Sequence, residues 1–386
     1  MKLRIGMIAV LLSICLIILS GCRGNMELNE LHLVHSVAID AGSNGSVKLT
    51  AEIAELSPSG QQPKGMHNGT FFLSTEGKSL FEAARLMRTK SDRTLLWGHT
   101  TVILFSKKVA DTGIDKHIEG IRRLKQFRNS TLLYVTDGNA SDVLQVSKPD
   151  GPIFSQALKG LSLGDKDTAL TQQTSLIDVY KELVNHTQDL TIPALQVLKD
   201  PIKGNKPQLQ AMGLYAFQGE RLISLMSATE TKGYLRSLNK MKSSVETLTC
   251  GSNQTITFEN VSNKSLIQPF VDGTLKPKIH IEIYATLNIT GFECKGAQIT
   301  PDKIIDLEKQ LNKSIASEVQ QYIRYSQKHK VDLLGIGEKI HRSHPKYWKS
   351  MQAAWPDIYA SSQVTVTAHC RIDHTNFIFE IEPGVG

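Results

Sequence analysis

The chain has 386 residues, 40% hydrophobic and 21% charged, with a formal charge of +7. That composition is ordinary for a soluble globular chain, and the length buries a core without disulfide staples, in two or three domains. Zinc-finger spacings and aromatic RNA-binding patterns are missing, so nucleic acid is a poor candidate partner.

Lys2 and Arg4 precede an apolar run, Ile5–Leu19, which is short of the ~20 residues of a spanning helix. Leu19-Ser20-Gly21-Cys22 follows, with small residues ahead of the one side chain whose thiol can form a thioether to diacylglycerol. The expectation is a signal peptide over 1–21 and a mature chain that opens on Cys22 carrying diacylglyceryl and N-acyl lipid, since two lipid signals anchor stably where one does not. Cleavage removes Lys2 and Arg4, lowers the formal charge to +5 and leaves 365 residues with no second run of membrane length. A mildly basic exported chain suits an anionic membrane face.

Residues 22–30 read as a lipidated tether. Leu31–Ile39 and Val47–Glu55 alternate as strands around the turn cluster 40–45, which predicts an antiparallel pair. Ser57–Gly69 reads as a loop, and Phe71–Ser74 as a short strand. Ser79 and Glu82 form a capping box ahead of a helix bearing Leu80, Ala83, Ala84 and Met87. A strand at Thr101–Phe105, a helix near Ile114–Phe127, a strand at Thr131–Thr136 and a short helix at Ala140–Val146 suggest an α/β layer. A punctuated stretch at 149–167, a helix over Thr171–Val184 and a strand at Ile192–Leu198 complete an N-terminal domain, 31–198, with a boundary at 199–206.

A middle region, 207–268, opens with a hairpin around Gln218-Gly219-Glu220 and a second capping box, Ser227 to Glu230, on a helix to about Met241. The C-terminal domain, 275–386, alternates over Lys278–Asn288. Pro301 then sits at the first position of the longest helix, whose stripe is Ile304, Leu307, Leu311, Ile315, Val319 and Tyr322. Two short helices within Asp332–Trp348, a strand at Gln363–Ile372 and a further one at Phe377–Ile381 end the chain. The fold class is α+β, a multi-domain ectodomain of mixed and antiparallel sheets packed with helices.

Catalytic motifs are fragmentary. Gly160-Leu161-Ser162-Leu163-Gly164 has the spacing of a nucleophile elbow but not the strand before it, and reads as a Gly-rich loop. Gly77-Lys78-Ser79 ends like a phosphate-binding loop, but Phe72 occupies the position of its first glycine. The pairs His32/His35 and His341/His344 have no third ligand in sequence. Arg122, Arg123, Lys125 and Arg128 form one basic helix face, and Lys339, Arg342, Lys346 and Lys349 another; solvated surface is the ordinary reading, with headgroups or an acidic partner as the functional one. Gly335-Ile336-Gly337 lets the backbone turn tightly, and Trp348 and Trp355 read as core aromatics. After lipidation of Cys22 and loss of Cys15, Cys250, Cys294 and Cys370 remain, either as one disulfide with one thiol or as three thiols.

Four separated segments resemble the Ger(x)C family, the lipoprotein C subunits of bacterial spore germinant receptors. They are Cys22 followed by Glu27–Leu31 and Val34–Asp40; Arg93 through Trp97-Gly98-His99; Asp332–Gly337 with His341-Arg342 and Pro345–Trp348; and the strand Val364-Thr365-Val366. The chain departs from the family at Arg23, where Trp is common, and at Asp373-His374, where a Gly is usual. The resemblance implies a three-part mixed α/β ectodomain without catalytic residues, cofactor or metal. It implies partnership with A and B membrane subunits at the spore inner membrane, the nutrient being held by the B subunit and not by this chain. Trp97, Gly98, His99, Asp332, Gly335, Gly337, Pro345 and Trp348 are then expected to hold the local folds that present its interfaces. The alternatives are a solute-binding lipoprotein of a transporter and a secreted hydrolase using Ser162.

Overall fold

The computed structural model describes residues 27–54, 70–146, 154–185, 187–200, 204, 206–272, 276–294 and 299–374. The expected signal peptide, Cys22, the loop at 57–69 and the strand at 377–381 lie outside them. Nine strands form the first sheet: β1 (Leu31–Ala41), β2 (Val47–Ala54), β3 (Thr70–Gly77), β4 (Thr94–Leu96), β5 (Val102–Ser106), β6 (Leu132–Thr136), β7 (Thr191–Asp200), β8 (Lys206–Gln218) and β9 (Arg221–Leu225). The order is β3-β2-β1-β5-β6-β7-β8-β9, with β4 beside β1. The centre, β1-β5-β6-β7, is parallel, and antiparallel hairpins flank it on both sides.

A parallel centre needs cover on both faces, and successive side chains supply it by pointing to opposite sides. Ile103 and Phe105 of β5 join the larger core with α1 (Leu80–Met87), α3 (Asp115–Arg123) and α7 (Leu176–Val184). Val102 and Leu104 join a smaller core with α4 (Ala140–Leu144) and α5 (Phe154–Ser162) on the other face. Two short helices, α2 (Lys107–Thr112) and α6 (Asp165–Thr168), complete this half. The capping box at Ser79 is present in part: Ser79 accepts from the Glu82 N–H, while Glu82 accepts from Lys78.

Strands β7 and β8 pair out to Asp200 and Lys206, so the expected boundary at 199–206 falls within one antiparallel pair and the first sheet continues to Leu225. The second sheet follows: β10 (Ser244–Gly251), β11 (Gln254–Phe270), β12 (Lys278–Phe292) and β13 (Gln363–His374), in that order and antiparallel except for the β12–β13 pair. On its inner face lie α8 (Ala228–Ser237) and the 28-residue α9 (Pro301–Lys328). Leu307, Leu311, Ile315, Val319 and Tyr322 are buried against Ile279, Ile281 and Ile283 of β12, as the two periodicities require. Three helices, α10 (Ile336–Ser343), α11 (Pro345–Met351) and α12 (Trp355–Ser361), close the end of this core. Strand β8 belongs to both halves: Tyr215 and Phe217 enter the first core, Leu214 and Ala216 the second.

Three expectations need correction. Lys339, Arg342, Lys346 and Lys349 are not one helix face, because α10 ends at Ser343 and α11 starts at Pro345. The basic run from Arg122 to Arg128 is not one helix face: α3 ends at Arg123, and Lys125 follows with φ 53° in the left-handed region, which a continuing helix does not allow. Ser162 is not in a loop but closes α5. That helix and α4 are capped by carboxylates far away in sequence. Glu52 of β2 accepts from the Phe154 N–H at 2.9 Å, and Asp40 of β1 accepts from those of Ala140 and Ser141 at 2.7 and 2.9 Å.

Cys250 and Cys294 form a disulfide and Cys370 is a buried thiol. The bridge closes a separation of 44 residues, worth about 4 kcal/mol in the chain-entropy account. Reduction is therefore expected to lower the melting temperature by roughly 5 °C for a chain of this size. Calorimetric scans with and without a thiol reductant check this, and coincident scans would show the bridge to be energetically idle.

Candidate functional site

Asp332-Leu333-Leu334-Gly335-Ile336-Gly337 leads out of α9 into α10. An aspartate just before a helix can accept from its first free N–H groups, and a glycine can take the left-handed turn into it. Asp332 is 2% exposed and accepts from Ile336 N–H at 3.0 Å, Gly337 N–H at 2.7 Å and the Trp355 indole N–H at 3.0 Å. Gly335 has φ +63°, and a Cβ there would lie 2.8 Å from the Gln188 amide oxygen. A Cβ at Gly337 would lie 2.6 Å from the Trp348 ring and 2.9 Å from Trp355 Nε1, so both glycines are needed for close approach. Trp348 and Trp355 meet edge to face at 5.3 Å.

The first half supplies the other side of this junction from the segment between α7 and β7. Asp189 N–H donates to the Asp332 carbonyl at 3.1 Å, and Asp332 N–H donates back to the Asp189 carboxylate at 2.8 Å. Asp189 also accepts from Gly219 N–H at 3.2 Å, Gln188 donates to the Leu333 carbonyl at 3.3 Å and Thr187 donates to Glu338. Burial pushes the Asp332 carboxyl up to about 6 against the pull of its three donors, and burial raises Asp189 as well. The carboxylate oxygens are occupied by donors. Chemically, the arrangement is a latch between the two halves.

The other expected residues are distributed. Trp97-Gly98-His99 forms a short turn in the first half, 30-odd residues before β6. Trp97 is buried beside Phe127 at 5.8 Å, its N–H donates to Gln126 at 3.4 Å, and His99 is exposed. Pro345 starts α11 in its first turn, where a missing N–H costs nothing. Asp332, Gly335, Gly337 and Trp348 are thus brought together, while Trp97, Gly98 and His99 stand apart from them.

The fragmentary motifs resolve into structure. Ser162 donates to the Lys159 carbonyl at 2.7 Å and accepts from Gln173 at 3.3 Å. Gly77 allows α1 to pack closely, since a Cβ there would be 2.5 Å from Ala83 N. His32 pairs with Asp92 at 2.9 Å, and His341 and His344 are exposed. Among the described residues no group of three His, Cys, Asp or Glu side chains is placed to hold a metal ion. Arg122 lies over Tyr180 at 3.3 Å, and Arg123 and Arg342 pair with Glu119 and Glu338 at 2.5 and 2.6 Å.

One buried network was not anticipated. Arg236, 0% exposed, donates to Glu318 at 2.9 Å and to Glu246 at 2.5 Å, and Lys232 meets Glu246 at 2.7 Å and Glu318 at 3.4 Å. Gly233 makes it possible, because a Cβ there would lie 2.8 Å from the Glu318 carbonyl and hold α8 off α9. The sequence hint was slight: a Lys and an Arg four apart on a helix whose opposite face carries Tyr234 and Leu235.

Residues 24–197 match the family described as spore germination protein N-terminal domain, and residues 212–376 match the spore germination B3/GerAC-like C-terminal family. The chain belongs to the Ger(x)C family of spore germination proteins. Spore germination protein KC of Bacillus subtilis (strain 168) is 24% identical over 376 residues, 92% of this chain and 91% of that protein. Spore germination protein B3 of the same strain is 23% identical over 356 residues, 90% of this chain and 92% of that protein. The crystal structure of the GerBC protein shares the fold, with a TM-score of 0.55 at 21% identity over 87% of this chain and 96% of that one. The Ger(x)C family is not a known enzyme family. The seam between its two parts, 198–211, falls in the β7–β8 hairpin. Among the described residues no helix is long and apolar enough to cross a membrane.

Proposed function

We propose that the chain is the non-catalytic, lipid-anchored C subunit of a nutrient germinant receptor. Cys22 carries diacylglyceryl and N-acyl lipid on the outer face of the cell membrane, which becomes the spore inner membrane, and the ectodomain assembles with A- and B-type membrane subunits. The observation that carries this reading is the match to both Ger(x)C parts, in order, directly behind the Leu19-Ser20-Gly21-Cys22 signal. The lipid confines the ectodomain to the membrane plane and raises its effective concentration beside the other subunits.

A binding role without catalysis accords with Ser162 being tied into the end of α5. The solute-binding alternative calls for two lobes that open around a cleft. Shared strand β8 and the Asp189–Asp332 latch favour a fixed body instead.

The test is the mass of the N-terminal peptide of the protein taken from spore membranes, together with affinity purification from the same membranes. The expected result is a diacylglyceryl mass on Cys22 and co-purification of two polytopic membrane proteins. An unmodified N-terminal Cys22, or an ectodomain recovered alone from mild detergent, overturns the proposal.

A further inference from the structure

A cavity of ≈350 Å³ opens at the N-terminal ends of β5 and β6, away from the latch. Its wall joins Arg128, Ser130 and Lys159 to the aliphatic Val102, Leu132 and Leu163, and among the described residues no carboxylate lines it. Arg128 and Lys159 are exposed and come from different segments, one ahead of β6 and one in α5. Neither side chain has an ion-pair partner among the described residues, whereas the neighbouring Arg122 and Arg123 are both engaged. The hydroxyls of Thr101, Thr131 and Ser162 and the Gln173 amide already donate within the fold, which leaves the two uncompensated cations and the Ser130 hydroxyl as the donors that receive a phosphate group.

The place of the cavity in the fold selects the source of that phosphate. Strands β1, β5 and β6 are parallel, so their N-terminal ends share one edge of the sheet. Thr101 N–H donates to the His35 carbonyl at 2.9 Å, which sets the cavity mouth beside the first half of β1. The chain enters β1 at Leu31 from that same edge, and the nine residues back to Cys22 span at most about 30 Å. The edge that carries Arg128 and Lys159 is therefore the edge from which the tether leaves.

We propose that this cavity binds the phosphate of an anionic phospholipid headgroup, with Arg128 and Lys159 as its two charged ligands, and so turns the N-terminal edge of the first sheet toward the bilayer. The orientation rests on the lipid-anchor reading, but headgroup binding by the cavity does not, and the two are tested separately. All three buried cores lie between Val34 and Ile372, so a chain beginning at Glu27 keeps the whole fold without the anchor.

The experiment is co-sedimentation of that lipid-free chain with phosphatidylglycerol and with phosphatidylcholine vesicles, in parallel with titration by glycerol 3-phosphate. Preferential retention on phosphatidylglycerol is expected, lost about 5-fold in Arg128→Gln or Lys159→Gln and roughly 25-fold in the double variant, with glycerol 3-phosphate competing. Lys349→Gln, an equal charge change on exposed α11, is expected to leave retention within 2-fold. Equal retention on both vesicles, equal weakening by Lys349→Gln, or glycerol 3-phosphate binding without vesicle retention would each overturn the proposal, the last by assigning the cavity to a free phosphate compound. The vesicle assay contains no Cys22, so its failure leaves the mass of the anchored N-terminus as an independent result.

Discussion

Replacing Arg236 with Met is expected to destabilise the protein by about 3–5 kcal/mol, the cost of removing one partner from a buried ion network. Burial acts against the guanidinium charge, but the carboxylates of Glu318 and Glu246 outweigh it and hold the Arg236 pKa above its ordinary value. With Met in its place, two carboxylates from β10 and α9 remain in the core with Lys232 alone to share. They cannot both stay ionised at low cost. The diagnostic comparison is the triple variant Arg236→Met, Glu246→Gln, Glu318→Gln. It is expected to recover part of the loss, because it removes the unpaired charges along with the pair. Urea unfolding of the three proteins checks this, and a triple variant less stable than Arg236→Met would mean that packing, not charge, dominates at this site.

Asp332→Ala is expected to cost about 4 kcal/mol by leaving two backbone N–H groups and the Trp355 indole N–H buried without an acceptor. The loss also frees the turn that presents Leu333 and Asp332 to Gln188 and Asp189, so both halves are affected. Asp332→Asn keeps the volume and one acceptor oxygen and is expected to cost less.

The pH dependence separates charge from shape at Asp332. Its folded pKa, about 6, lies above the ordinary 3.8, so the folded protein binds more protons than the unfolded chain between those values. The contribution of Asp332 is therefore greatest below pH 4 and declines as pH rises through 6. The stability gap between wild type and Asp332→Asn is expected to be wider at pH 5 than at pH 7.5, as measured by melting temperature in each buffer. A gap that widens toward pH 7.5 would show that the ionised carboxylate is the better cap. Using the difference removes His117, which burial lowers to about 4 and which acts in the opposite sense over the same range.

Elements with a strong local signal were legible. The alternation of Ile279, Ile281 and Ile283 placed β12, and Thr300-Pro301 with the stripe from Leu307 to Tyr322 placed α9 within a residue of its start. The box at Ser227 and Glu230 is formed by both of its hydrogen bonds. Helix α5 was not legible, because its N-terminus is completed by Glu52, about a hundred residues earlier, and not by a neighbour. The run from Ile114 to Phe127 has helical apolar spacing throughout, but packing of Phe127 on Trp97 and the left-handed Lys125 end the helix early. For the same reason Arg128 is delivered to a cavity and not to a helix face.

At the candidate site the sequence marked Asp332, Gly335, Gly337 and Trp348, all within one stretch of 17 residues. It gave no indication of Asp189 or Gln188, whose role exists only because β8 carries the second half back against the first.

The sequence by itself determined the family segments, the α+β class and the local elements with clear periodicity. These depend on neighbours in the chain, and neighbours are what a sequence displays. Tertiary structure alone decided that Cys250 pairs with Cys294 and not with Cys370, that Arg236 sits between Glu246 and Glu318, and that Asp189 meets Asp332. Those pairings join groups from ten to more than a hundred residues apart. Their energy comes from burial and strand register, and neither is defined until the sheets have formed.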